Sequence, residues 1–165
     1  MVNLPPAPRA IDRALISSAD DESLEYGLMS YVLVLQERDP GSVGALPLSL
    51  QAHFVAFVLD GQVLRGGFNQ LMFNAPEIAS MAPDAFIQLE MDEAAVIAQD
   101  AWHLYDLVRD KHEQAKAAGR LEPYPATWDE PLLKEVDEAY TAAANRFRTE
   151  RVAYIRSHPE EFLHP

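Results

Sequence analysis

Residues 47–74 read PLSLQAHFVAFVLDGQVLRGGFNQLMFN, and the fold turns on how this stretch is parsed. Pro47 and Ser49 suit the opening of a helix, and Leu50, Phe54, Phe57 and Val58 recur at helical spacing, on one face. The pattern predicts a helix from Pro47 to about Leu64 at the centre of the core. Gly66 and Gly67 then break or kink it, because residues without Cβ leave helical dihedrals at little cost. Phe68 to Asn74 makes a further short helix, which Pro76 ends.

Upstream, Ser17-Ser18-Ala19-Asp20-Asp21-Glu22 supplies capping oxygens and first-turn carboxylates for a helix running to about Arg38. Leu24, Leu28, Tyr31, Val32 and Leu35 form its apolar face. The short run Tyr31–Leu35 would also suit a strand, but its length and flanks favour helix. Asp39-Pro40-Gly41 is a strong stop, and Pro5, Pro6 and Pro8 make residues 1–12 an extended leader. Downstream, Pro83 fits the first turn of a helical region continuing to about Ala118, with a joint near Met91-Asp92-Glu93 and a stop at Gly119. Pro123, Pro125 and Pro131 mark a loop that Tyr124 and Trp128 pin to the core. A last helix runs from about Glu130 to Ser157, with an apolar stripe of Leu133, Val136, Tyr140, Ala144, Phe147, Val152 and Ile155. With no strand alternation and no internal repeat, residues 13–165 are expected to form one all-α domain of about six helices.

The chain has 165 residues, 48% apolar and 24% charged, which suits a single globular core. Its 13 basic and 26 acidic side chains give a net charge of −13, which repels nucleic acid and anionic lipid and attracts basic surfaces. The absence of cysteine removes disulfides, thiolate nucleophiles and cysteine metal sites. The longest apolar runs, Tyr31–Leu35 and Phe54–Leu59, are far short of a membrane span, and the start carries no secretory pattern, so a cytoplasmic protein is expected.

Conventional chemistry finds little foothold. No pair among His53, His103, His112, His158 and His164 has the i,i+4 spacing that sets two imidazoles on one helix face, so neither a metal nor another cofactor is expected. There is no nucleophile elbow, phosphate-cradling loop or dinucleotide fingerprint, and the chain reads as a non-enzyme. The segment Arg65–Asn74 admits two readings. In the first, the glycines let two helices pass closely while Gln70 and Asn74 bond to freed backbone groups; in the second, those amides line a small-ligand pocket with His53 or His103. The residues favour the first.

Gly66-Gly67-Phe68-x-Gln70-x-x-x-Asn74 resembles the signature of a bacterial family classed as domain of unknown function 4375, which includes an acidic protein that imitates DNA. The resemblance extends through Leu89–Ala94 and Ile97–Leu107 to the ending Tyr154-Ile155-x-x-His158-Pro-Glu-x-Phe162. It implies an all-helical fold, a homodimer, and carboxylates standing in for phosphates. The family's usual glycine at the middle joint is absent from Met91-Asp92-Glu93.

Imitation of DNA needs carboxylates unbroken by cations. Two stretches meet that condition: Ala14–Glu37, with Asp20, Asp21, Glu22, Glu25 and Glu37, and Gly66–Val108, with Glu77, Asp84, Glu90, Asp92, Glu93, Asp100 and Asp106. Arg146, Arg148, Arg151 and Arg156 gather in the last helix, so the molecule is expected to be electrically lopsided. The leading reading is an acidic face that engages a basic protein such as a DNA-binding regulator. A ligand domain built on the Gly66-Gly67 corner, and a structural dimer formed through the apolar stripe of the last helix, are the alternatives.

Overall fold

The computed structural model describes residues 7–18, 20–119 and 131–165. The described residues form seven α-helices and no strand. They are α1 (Arg13–Ser18), α2 (Asp21–Arg38), α3 (Leu48–Asn74), α4 (Pro76–Gln88), α5 (Asp92–Tyr105), α6 (Arg109–Ala117) and α7 (Lys134–Ser157), with 3₁₀ turns at Ser42–Ala45, Pro131–Leu133 and Pro159–Glu161.

The sequence signals explain most of these boundaries. Asp20 caps α2 by accepting from the Ser23 N–H at 2.9 Å, which satisfies a donor that has no partner within the helix. Pro76 occupies the first turn of α4, where its missing donor costs nothing. Pro83, expected at a helix start, instead lies buried within α4, because Pro76 already holds the opening position. The joint at residues 89–91 separates α4 from α5, as the acidic cluster there suggests. A second joint at Asp106–Val108 divides the helix expected to run unbroken to Ala118; Leu107 and Val108 donate back three residues, to Leu104 and Tyr105. Gly119 ends α6 in the left-handed region, φ 70°. Tyr124 and Trp128 lie outside the described residues.

α3 is the central element. It packs on α4 along the chain, and on α2 and α7; α5 closes against α4 and α7. Leu24 and Leu28 of α2, Leu50, Leu59, Phe68 and Leu71 of α3, Phe86 of α4 and Tyr140, Phe147 and Ile155 of α7 meet in one buried cluster. Burial of this kind contributes roughly 1.5–3 kcal/mol for each large apolar side chain. Leu133, Val136, Tyr140, Phe147, Val152 and Ile155 all turn into it. Most of the apolar stripe expected to form a dimer is therefore core within one chain. Ile11 is buried too, exchanging backbone hydrogen bonds with His164 at 2.8 and 3.0 Å.

Candidate functional site

Three arrangements bear on function, and the first lies inside the protein. Glu25, expected among the surface acids, is only 2% exposed. Its position on α2 points inward beside Leu24 and Leu28, and α7 brings Arg151 against it. Arg151, 1% exposed, donates from Nε and Nη2 to Glu25 Oε1 at 2.9 and 2.5 Å, and reaches Asp60 Oδ2 of α3 at 2.8 Å. The Tyr140 hydroxyl donates to Asp60 Oδ1 at 2.5 Å, and Arg148 donates to Glu25 Oε2 at 2.5 Å. Two carboxylates thus face two guanidiniums, which is how buried charge becomes tolerable. Burial alone would lower the Arg151 pKa, but Asp60 and Glu25 outweigh it and hold the group charged. Burial, then the Asp60 charge, pushes the Tyr140 hydroxyl well above its ordinary range, so it stays a donor.

His53 lies fully buried beside this network, and neither ring nitrogen has a hydrogen-bond partner among the described residues. Burial, reinforced by the Arg151 charge and only partly opposed by the Glu25 carbonyl, lowers its pKa to about 3, so the ring is neutral.

The second arrangement is the kink. Gly66 leaves helical dihedrals at φ −156°, ψ 21°, and Gly67 adopts φ 73°, ψ 179°. The Phe68 N–H freed there donates to Asp137 Oδ1 of α7 at 2.6 Å, and a Cβ on Gly67 would fall 2.5 Å from Asp137 Oδ2. The carboxylate, not an amide, therefore caps the second half of α3. Gln70 and Asn74 both donate to the Gln62 side-chain oxygen, at 2.9 and 3.0 Å, and close the outside of the kink. Phe68 is buried against Tyr140, and Asn69 pairs with buried His112 at 2.6 Å. Gln70 lies against Gly66 and Asp137 against Gly67, where a Cβ would meet them. His53 is locked in the core, and His103 is exposed, 2.9 Å from Gln99.

The third is the acidic surface. The α7 arginines do not form an opposing basic pole, because each is drawn to an acid of the two cation-free stretches. Arg156 pairs with Asp21 at 2.7 Å, Arg148 and Arg151 with Glu25, and Arg146 with Glu93 at 2.8 Å and Glu150 at 3.1 Å. Asp106 pairs with Arg109. Asp20 is engaged as a cap, and with Asp21, Glu22 and Arg148 it lines a cleft of about 620 Å³ between the start of α2 and α7. What remains is concentrated on α4, α5 and their joint. Glu77, Asp84, Glu90, Asp92 and Asp100 are exposed and carry no ion pair among the described residues. At the start of α2, Arg156 offsets Asp21 while exposed Asp20 and Glu22 carry no ion pair among the described residues; α4, α5 and their joint hold the larger group of such acids.

Sequence reasoning passed over Asp60, Asp137 and Gln62, and read Tyr140 only as part of an apolar stripe. A signal existed for Asp60, an isolated acid in an apolar helix, and for the burial of Arg151, which follows Phe147 by four residues on a core-facing stripe. Among the described residues no group of three or more His, Cys, Asp or Glu side chains is placed to hold a metal ion, and no helix is long and apolar enough to cross a membrane.

Residues 44–158 match a family model described as DMP19-like protein. No curated protein and no solved structure matches the chain.

Proposed function

Starting from the DMP19-like protein family, to which the chain belongs, we propose that it is an acidic protein-binding domain that occupies the DNA-reading surface of a basic regulator. The observation carrying this reading is that five acids on α4, α5 and their joint stand exposed without an ion pair among the described residues, in a stretch that holds no Lys or Arg from Gly66 to Val108. Such a field attracts basic surfaces and repels phosphates, which favours a DNA-binding protein over nucleic acid as partner. The resemblance of Gly66–Asn74 to a family with a DNA-imitating member points the same way. In this reading the chain acts in the cytoplasm, catalyses nothing and needs no cofactor, and its charge does the competing.

The test is capture on the immobilised full chain from a bacterial extract at low salt. A basic DNA-binding protein should be recovered, released both by rising salt and by duplex DNA. Recovery of no such protein, or of one that duplex DNA fails to displace, overturns the reading.

A further inference from the structure

The acidic face is not uniformly acidic. Along the outer side of α4 the order is Glu77, Met81, Asp84, Ile87, and along that of α5 it is Asp92, Val96, Asp100. Each step is three or four residues, so every carboxylate has an aliphatic neighbour about 5–6 Å away at Cβ. These aliphatic side chains are held out in solvent: Met81 is 45% exposed, Ile87 60% and Val96 59%. The two helices pack on each other, and Ile87 and Asp92 flank the joint that turns one into the other.

Solubility asks only for the carboxylates, and imitation of phosphate asks for nothing apolar. The alternation suits long basic side chains. A lysine or arginine lays its methylene stem on apolar surface while its charged head reaches a carboxylate. A partner surface of such side chains would find a stem site and a head site at each helical turn.

We propose, resting on the function proposed above, that the α4–α5 face receives an amphipathic basic helix of its partner, and that Met81, Ile87 and Val96 take part of its apolar surface. Charge steers the encounter, and the aliphatic positions select a helix carrying both apolar and basic groups over an arbitrary polycation.

The experiment uses the full chain and two synthetic helical peptides of equal lysine content, one with leucine between the lysines and its twin with glutamine in those places. The leucine peptide should bind about tenfold more tightly, the scale of one or two buried aliphatic contacts. Its titration should shift the methyl resonances of Met81, Ile87 and Val96. That advantage should vanish in the Ile87→Ser/Val96→Ser variant, which keeps the net charge and alters only exposed positions. Equal binding of the twins, or an advantage that survives in the variant, overturns the inference while leaving the electrostatic reading in place. If neither peptide binds at low salt, the electrostatic reading falls with it.

Discussion

Arg151 of α7 and Glu25 of α2 meet inside the protein through two hydrogen bonds, at 2.9 and 2.5 Å, to one carboxylate oxygen. Removing one partner leaves the other charged and buried, a change that costs about 3–5 kcal/mol. Glu25→Gln and Arg151→Met should each lower the unfolding free energy by that order, read as a fall in the urea midpoint. Arg148→Gln removes a pair with one partner half exposed and should cost under about 1 kcal/mol. Equal losses for Arg148 and Arg151 would contradict the assignment of Arg151 as the buried anchor.

At the kink, the two glycines should respond unequally. Gly67→Ala meets both a left-handed backbone and the Asp137 carboxylate, and is expected to cost more than about 2 kcal/mol. Gly66→Ala meets the Gln70 amide, which can swing away, and the Gln70 Cβ at 3.0 Å, without a left-handed backbone, and should cost less. Asp137→Ala leaves the Phe68 N–H without its acceptor, a loss of about 1–3 kcal/mol. Thermal melts of the three variants check the order.

Glu90 lies at φ 56°, where a side chain costs about 1–2 kcal/mol. The backbone bonds Glu90 N–H to Ile87 O at 3.0 Å and Met91 N–H to Phe86 O at 2.9 Å hold it there, in a helix ending that ordinarily takes glycine. Glu90→Gly should raise stability by about 1 kcal/mol while removing one acid from the α4–α5 face. A fall in the melting temperature would contradict this.

His53 sets a pH dependence. Its folded pKa, about 3, lies below the ordinary histidine value, so between the two the unfolded chain binds a proton that the folded chain does not. The contribution is complete above the ordinary value near pH 6.5 and is lost as pH falls toward 3, with a slope approaching about 1.4 kcal/mol per pH unit. His53→Leu should reduce that slope between pH 6 and pH 4, since leucine takes up no proton in the unfolded chain. An unchanged slope would contradict the buried neutral ring.

Glu161 adds a second, more acidic step. Hydrogen bonds from Ser49 at 2.5 Å and Tyr154 at 2.8 Å hold its carboxyl below the usual range, so its contribution is present above the ordinary glutamate value and lost as pH falls through the lowered one. Glu161→Gln should flatten the stability curve below about pH 4 and leave the histidine limb unchanged.

Much of the fold was legible because the deciding residues act locally. Asp20 caps its own helix, Pro76 and Gly119 set a start and a stop, and Gly66-Gly67 announces a kink whatever packs around it. The joint at Asp106–Val108 was not legible, since Ala101, Tyr105 and Val108 keep helical spacing straight through it and no Gly or Pro marks it. The acids divided for a related reason. Glu25 and Glu22 look alike in sequence, and only the approach of α7 makes one of them interior. For the candidate site, the cation-free stretch showed where unbalanced charge begins. Which acids stay unbalanced depended on where α7 places its arginines.

That division means the net charge is two quantities rather than one. The part shared between α7 and its partners on α2 and α5 belongs to folding, while the part left on α4 and α5 is what the proposed partner would meet. A lysine introduced at the outer side of α4 and a glutamate exchanged for glutamine at position 25 shift the total in the same direction. The first alters what approaches the protein, and the second alters whether there is a folded protein to approach.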